Sequence, residues 1–154
     1  MISALSAAHH SSVICAGFLY IDSQQMHKNF LIAGSLLGAT GVALGAFGAH
    51  ALKNAISEDH LHAFQTGVQY QFYHALALLI VALMAGRIGS RYIVLSGYLF
   101  IIGTLLFSGS LYCLAVFPAL SWMGAITPLG GLSFIAGWIC LLVAASSLSS
   151  DVRK

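Results

Sequence analysis

The chain has 154 residues, of which 59% are hydrophobic and 6% are charged, and its mean hydropathy is +0.92. Soluble domains carry roughly a quarter charged residues, so this composition excludes a soluble globular protein and indicates an integral membrane protein. It also excludes a nucleic-acid-binding protein with a basic face, a secreted disulfide scaffold and a disordered chain.

The amino-terminal segment, residues 1–25, has two interpretations. Its apolar run, residues 13–21, is too short to span a bilayer, and no basic cluster precedes it as in a signal peptide. Met26 is a second possible start, just before Lys28 and the first long apolar run. The segment is therefore either an extension upstream of Met26 or a disordered or surface-lying arm, and both interpretations stay open.

Four apolar runs follow, each near the length of about 20 residues that a helix needs to cross the hydrocarbon core. They cover about residues 29–49, 69–86, 92–117 and 128–148. Pro118 ends the third run because proline cannot continue a helix, whereas Thr127 and Pro128 suit the N-cap and first position of the fourth. The sequence predicts an all-α integral membrane protein with a four-transmembrane-helix bundle, formed by residues 26–150 and followed by a short cytoplasmic tail, 151–154.

The first run carries glycines on one helical face at a heptad period, namely Gly34, Gly38, Gly41, Gly45 and Gly48. Glycine in a helix interior costs about 1 kcal/mol relative to alanine, and close contact between membrane helices compensates for it. The fourth run has a similar face of small residues, namely Gly130, Ser133, Gly137, Cys140, Ala144 and Ser147, and the third adds Gly97, Gly103, Thr104 and Ser108 less regularly. These faces favour tight helix packing; a pore or gating surface is the alternative.

The second run belongs to a helix that is predicted to begin earlier, with Ser57 as N-cap and acidic residues in its first turn. A polar stripe follows at helical spacing, namely Asp59, His62, Thr66, Gln69, Tyr70, Tyr73 and His74. From residue 58 to residue 86 one helix would be about 43 Å long at ~1.5 Å per residue. Its first turns must therefore lie along the membrane interface or bend, for instance at Gly67.

No Asp, Glu, Lys or Arg lies inside the predicted spans, so histidine is the candidate titratable side chain that remains. A carboxylate-driven transporter is therefore not expected. His74, with Tyr70 and Gln71 one turn earlier, could handle protons, but a buried neutral histidine with satisfied hydrogen bonds is the commoner case. We expect His74 to face His50 or the polar ends of neighbouring helices.

Catalytic and metal-binding arrangements are not found. His60 and His62 would lie on different helix faces and do not converge on a metal or haem. Consecutive positions such as Ser57, Asp59 and His60 cannot form a catalytic triad on one helix. The three cysteines, Cys15, Cys113 and Cys140, have no C-x-x-C spacing. We therefore expect no enzymatic activity, no metal site and no cofactor.

The distribution of basic residues predicts the orientation. With the amino terminus inside, the outer segments hold only Lys53, whereas the inner segments hold Lys28, Arg87, Arg91, Arg153 and Lys154. Because cytoplasmic loops retain Lys and Arg, both termini are predicted to be cytoplasmic. The uncharged loop 118–127 would lie outside, with Trp122 as an interfacial anchor.

Three motifs resemble one known family. They are the run Gly41-Val42-Ala43-Leu44-Gly45-Ala46-Phe47-Gly48-Ala49-His50-Ala51-Leu52, the pattern Phe64-x-Thr66-Gly67-x-x-Tyr70-Gln71-x-x-His74-Ala75-Leu76-Ala77, and Ile126-Thr127-Pro128-Leu129-Gly130-Gly131. Over about residues 26–148 the chain is similar to the domain of unknown function 423 family (DUF423, UPF0382) of small membrane proteins.

This resemblance implies a four-helix protein of the plasma (inner) membrane and favours Met26 as the family-like start, with residues 1–25 as a departure. It implies no activity. It singles out His50, Gln71 and His74 as motif positions without giving them a role.

We expect a structural or interaction protein in the lipid bilayer, either a homo-oligomer or a partner of other membrane proteins, with no nucleic-acid partner. This expectation rests on the helix faces of small residues, which favour packing, and on the lack of a recognisable catalytic arrangement in the sequence. The alternative is a channel or carrier for a small solute, with the polar stripe leading to His74, and Tyr70 beside it. Metal or haem binding is a third alternative.

Overall fold

The computed structural model of the chain describes Gln25, residues 27–87 and residues 89–148. Its four long helices are α1 (His27–Leu52), α2 (Glu58–Ala85), α3 (Arg91–Val116) and α4 (Thr127–Leu148), and a 3₁₀ helix, Pro118–Ala125, joins α3 to α4. Four helical segments are long and apolar enough to cross a membrane, and the described residues contain no strand. The predicted all-α membrane fold is confirmed. The tail 151–154 and, apart from Gln25, the segment 1–25 lie outside the described residues.

Local signals account for where α2 begins and α3 ends. The Ser57 hydroxyl accepts a hydrogen bond from the backbone N–H of His60, as the predicted N-cap requires. α3 stops at Val116, two residues before Pro118. α2 continues without interruption through Gly67, so the apolar run 69–86 is only the later part of a longer helix. With 28 residues and about 42 Å, α2 exceeds a hydrocarbon core of roughly 30 Å.

α1 ends in a π-helical turn, Gly48–Leu52. The Leu52 carbonyl then accepts hydrogen bonds from the backbone N–H groups of Ala55 and Ile56, at 2.9 and 3.2 Å. These bonds satisfy the end of the helix and turn the chain back into α2. The π turn places His50 on the exposed surface at this end of the bundle.

The helices are arranged around α3, which packs along both α2 and α4. α1 lies antiparallel to α2, since Gly34 is close to Leu79 at one end and Gly48 is close to Phe64 at the other. α2 and α4 meet through aromatic side chains that fill the space between them. The main core is formed by buried apolar residues, the largest being Phe30, Phe100, Phe134, Leu78 and Ile93.

Glycines on one helix receive aromatic rings from a neighbouring helix. An added Cβ would lie 2.6 Å from Phe30 at Gly97, 2.5 Å from Phe134 at Gly103 and 2.6 Å from Phe100 at Gly137. Real Cβ atoms do not approach other atoms so closely, so each position requires the absence of a side chain. The helices interlock by ring-on-glycine contacts that bring the backbones close together.

The predicted packing glycines of α1 and α4 meet different surroundings. A Cβ would be 3.5 Å from Gln71 at Gly41 and 3.5 Å from Val68 at Gly45, and 2.9 Å from Leu79 at Gly34. At Gly48 it would be 3.0 Å from Phe64, and at Gly130 it would overlap the backbone nitrogen of Phe107. Gly130 and Gly137 thus pack directly on α3.

Gly38 differs from the other glycines of this face in having open space where a Cβ would lie. No atom would lie within 4 Å of a Cβ at this position. Continuing the antiparallel pairing of α1 with α2 places Ala75 and His74 at the height of Gly38. Ala75 is small and His74 is directed towards α4, so the α2 surface has nothing that reaches Gly38.

Candidate functional site

The polar centre of the bundle is Gln71, a buried residue of α2 whose amide joins three helices. Its Nε2 donates to the Leu37 carbonyl at 2.8 Å and to Thr40 Oγ1 at 2.9 Å, both on α1. Its Oε1 accepts from the Tyr112 hydroxyl of α3 at 2.8 Å. Two N–H donors and the carbonyl oxygen are therefore all in use, which is the arrangement that a buried amide in a membrane needs.

Two glycines lie beside this network, and one of them makes space for it. Gly41 of α1 lies against Gln71, where a Cβ would be 3.5 Å from Nε2. Gly67 of α2 lies against the Tyr112 ring, where a Cβ would be only 2.8 Å away. Gly67 therefore admits the tyrosine that completes the network, and α2 is uninterrupted at this position.

His74 is one helical turn from Tyr70 and is also buried. Its Nδ1 is 2.8 Å from the Tyr70 carbonyl oxygen, and its Nε2 is 3.3 Å from Trp138 Nε1 of α4. A carbonyl oxygen only accepts and an indole N–H only donates. Both bonds form together only when the imidazole is neutral with its proton on Nδ1.

The His74 ring packs among aromatic side chains between α2, α3 and α4. We call this group the aromatic cluster; its members are Tyr70, His74, Phe100, Phe107, Phe134 and Trp138. The imidazole stacks on Phe134, with ring centroids 3.4 Å apart and planes 5° from parallel. Tyr70 packs on Phe107 at a centroid distance of 4.6 Å. The side chains of the aromatic cluster therefore pack mainly ring against ring.

His50 does not join this site, which corrects the expectation that His74 faces it or the polar helix ends. His74 instead turns to Trp138 and Phe134, because the polar groups within reach of its ring nitrogens are the Tyr70 carbonyl and the Trp138 indole. His50 is exposed on the π turn of α1. Among the predicted positions, Tyr70 and His74 lie together, Gln71 lies on the side towards α1, and His50 lies apart.

The polar stripe of α2 divides in two. His62, Thr66, Gln69 and Tyr73 lie on the outer part of the helix, where Gln69 Nε2 donates to the Tyr73 hydroxyl at 2.8 Å. His62, Thr66 and Gln69 line a groove of ≈ 370 Å³ beside Gly45 and Gly48. The stripe does not continue to a free imidazole, because both His74 nitrogens have partners within the bundle.

Metal ligands and paired thiols do not assemble within the part of the chain that the structure describes. No three His, Cys, Asp or Glu side chains there lie close enough to hold a metal ion. Cys113 and Cys140 are free and partly buried. These residues offer packing rather than a recognisable reactive centre.

Sequence reasoning missed four residues of the site: Thr40, Tyr112, Phe134 and Trp138. The amide of Gln71 needs partners, and Thr40 and Tyr112 are polar side chains in otherwise apolar runs, so their hydroxyls were a usable signal. Nothing comparable marks Phe134 and Trp138, since aromatic residues are common in membrane helices and their spacing does not show which ring lies against His74.

Comparisons with known proteins agree over the membrane region. The family model "Protein of unknown function (DUF423)" matches residues 44–131. The chain is 48% identical over 119 residues to "UPF0382 membrane protein YwdK" of Bacillus subtilis strain 168, a match that covers 77% of this chain and 96% of the relative. It is 44% identical over 118 residues to "UPF0382 inner membrane protein YgdD" of Escherichia coli K12, covering 77% and 89%. No solved structure matches the chain.

Proposed function

We propose that this chain, which belongs to the DUF423 (UPF0382) family of membrane proteins, is a non-enzymatic membrane component that associates with a second copy of itself through the outward face of α1. Its relatives are named as membrane proteins, and its four apolar helices place it in the lipid bilayer. The proposal concerns what the protein does there.

The internal polar groups support a role that does not depend on reaction chemistry. Gln71, Tyr112 and Thr40 satisfy one another, and His74 is held between Tyr70 and Trp138. Between α3 and α4, the Ser110 and Thr127 hydroxyls pair at 2.7 Å. These bonds hold helices together and already use the donor hydrogens of these groups.

The outward face of α1 is the observation that carries the proposal. Ser35, Ala39 and Ala43 are exposed and repeat every four residues, a spacing typical of membrane helices that pack closely on another helix. α1 is also the least covered of the four helices. Its inward face is occupied by α2, and no other helix of the described residues covers this second small-residue face.

A second copy is the partner that the shape of this face favours. Ser35 and Ala39 form the floor of a shallow groove of ≈ 410 Å³, and Leu31, Ile32 and Leu36 form its walls. The small residues of the groove and the large side chains that form a ridge beside it, Leu31, Ile32 and Leu36, belong to the same helix. Two copies related by a two-fold axis along the membrane normal could therefore place each ridge beside the other groove, as an isologous interface requires.

The basic residues of the described chain lie mainly at one end of the bundle, and they support a proposed orientation in the membrane. Lys28, Arg87 and Arg91 lie at one end of the bundle, where α1 begins, α2 has ended and α3 begins. Lys53 lies at the other end, beside the acidic start of α2. The basic end is therefore proposed to face the cytoplasm, with both termini on the cytoplasmic side of the plasma (inner) membrane.

The experiment measures the mass of the protein in mild detergent and in lipid nanodiscs, for wild type and two variants. Wild type is expected to be dimeric, and Ala39→Leu is expected to be monomeric because a leucine fills the groove. Ala145→Leu changes an exposed alanine of α4 in the same way and should remain dimeric. A monomeric wild type in both media would contradict the proposal, as would recovery of one copy bound only to a different membrane protein.

A further inference from the structure

The basic end of the bundle carries cations without carboxylates beside them in the described residues. Lys28, Arg87 and Arg91 are exposed there. The carboxylates that the structure describes, Glu58 and Asp59, begin α2 at the opposite end. A cluster of positive charge at a membrane surface attracts anionic groups, and the attraction is strongest where a cleft holds the charge in place.

Such a cleft lies between the start of α1 and the end of α2. It has a volume of ≈ 280 Å³ and is lined by His27, Leu83, Gly86 and Arg87. The His27 Nδ1 is bonded to the Ala82 carbonyl oxygen, so the ring donates its Nδ1 proton to α2. Nε2 has no partner within the described part of the chain, and with the proton on Nδ1 it can only accept a hydrogen bond.

Gly86 lies beside the His27 ring at the end of α2. A Cβ on Gly86 would be 3.6 Å from His27 Cγ and Nδ1, so the ring lies directly on the end of α2. The imidazole is therefore held against α2 by its hydrogen bond to the Ala82 carbonyl. The cleft is preformed on its α1 side, and only the exposed Arg87 side chain has to be ordered by a ligand.

The ligand is expected to be both anionic and apolar. Arg87 offers a guanidinium, whose fork of N–H donors matches the oxygens of a phosphate. Leu83 lies one turn earlier on the same face of α2 and is 54% exposed. A cation with an exposed leucine directly on its membrane side fits a molecule whose phosphate lies at the surface and whose acyl chains enter the bilayer.

We propose that this cleft binds an anionic phospholipid, with Arg87 on the phosphate, His27 Nε2 accepting a hydrogen bond from a headgroup hydroxyl, and Leu83 on the first part of an acyl chain. The site is separate from the α1 face of the proposed self-association, and either can exist without the other. Free phosphate shares the headgroup chemistry but cannot use Leu83.

The test is native mass spectrometry of the full chain in detergent with added phosphatidylglycerol or phosphatidylcholine. Wild type should retain one phosphatidylglycerol more tightly than phosphatidylcholine. Arg87→Gln should lose about fivefold in affinity, corresponding to ~1 kcal/mol for one arginine at a membrane surface. Arg91→Gln is the matched control, because it removes the same charge at the same end from a residue outside the cleft.

Three results would overturn the proposal: equal binding of the two lipids, equal losses for Arg87→Gln and Arg91→Gln, or displacement of the lipid by inorganic phosphate at the same concentration. The second would indicate diffuse surface attraction, and the third a site for free phosphate. His27→Gln provides a second variant, since an amide keeps a donor to Ala82, and it should also weaken phosphatidylglycerol binding. Thermal unfolding of every variant in lipid-free detergent shows that the fold is intact.

Discussion

Gln71 connects three helices through one side chain, and its three hydrogen bonds run to residues far away in the sequence. In water such bonds would be exchanged for bonds to solvent, but a lipid environment offers no replacement. Measured side-chain hydrogen bonds in membrane proteins average about 0.6 kcal/mol and reach about 1.7 kcal/mol. The network therefore specifies how α1, α2 and α3 fit together more than it supplies a large stabilisation.

Gln71→Leu is expected to lower the free energy of unfolding by about 1–3 kcal/mol, because it leaves the Tyr112 hydroxyl buried without a partner. Tyr112→Phe should lower it by about 1 kcal/mol. A double-mutant cycle measured by unfolding in detergent should give a coupling energy of about 0.6–1.7 kcal/mol between the two residues. Strict additivity of the two changes would show that the bond contributes nothing.

His74 is expected to be a structural residue that does not titrate in any transport step. His74→Gln should fold, because an amide replaces one imidazole bond, and it should leave proton flux in reconstituted vesicles at the wild-type level. The ¹⁵N spectrum of wild-type protein at neutral pH should show a protonated Nδ1 and an unprotonated Nε2. A well-folded His74→Gln protein that lost a pH-dependent flux would instead support the carrier alternative.

Helix beginnings and ends were predictable because their causes are local. Ser57 and Pro118 act on residues within one turn of themselves, so the sequence is enough to place them. The partners of Gln71 and His74 were not predictable in this way. Tyr112 is 41 residues from Gln71 along the chain, and Trp138 is 64 residues from His74. Which ring enters which gap depends on the rotation of each helix, and the glycine pattern limits that rotation without fixing it.

At the scale of the elements, α3 and α4 are held together by the fit of side chains to glycines. Gly130 and Gly131 offer a matched pair for measuring this fit, because they are neighbours in one helix. A Cβ on Gly130 would overlap the backbone of Phe107, whereas a Cβ on Gly131 would be 4.0 Å from the Phe107 ring. The first contact involves backbone, which cannot move aside cheaply.

Gly130→Ala is therefore expected to lower the free energy of unfolding by about 1–3 kcal/mol, as overpacking does. Gly131→Ala should be neutral or stabilising by up to about 1 kcal/mol, the gain in helix propensity. Thermal unfolding of both variants in the same detergent makes the comparison. Equal stabilities would mean that α3 and α4 are further apart in the membrane than the structure places them.

At the scale of the whole molecule, the loops on the two sides of the membrane differ in charge. Gly89 and Ser121 are exposed and lie at opposite ends of α3. In a background without native cysteines, Ser121→Cys should react with a membrane-impermeant thiol reagent added outside intact cells, and Gly89→Cys should react only after permeabilisation. Reaction of both positions from one side would rule out the four-span topology.

The number of spans was predictable from hydropathy, since the bilayer demands long apolar runs whatever the helices pack against. Which residues form the outward face of α1 was not predictable. Ser35, Ala39 and Ala43 share the helix with five glycines, and the sequence alone does not show that α2 covers the glycines and leaves the other small residues exposed. The structure separates these two faces, and the proposed self-association uses the second one.

Disulfide cross-linking in native membranes tests this self-association most directly. Ala39→Cys, in a chain whose Cys15, Cys113 and Cys140 are replaced by alanine, should form cross-linked dimers on mild oxidation, and the yield should persist when the protein is diluted into excess lipid. Leu142→Cys, at an α4 position that is 70% exposed, should form few. Equal yields at the two positions, or none at Ala39→Cys, would contradict an interface formed by α1.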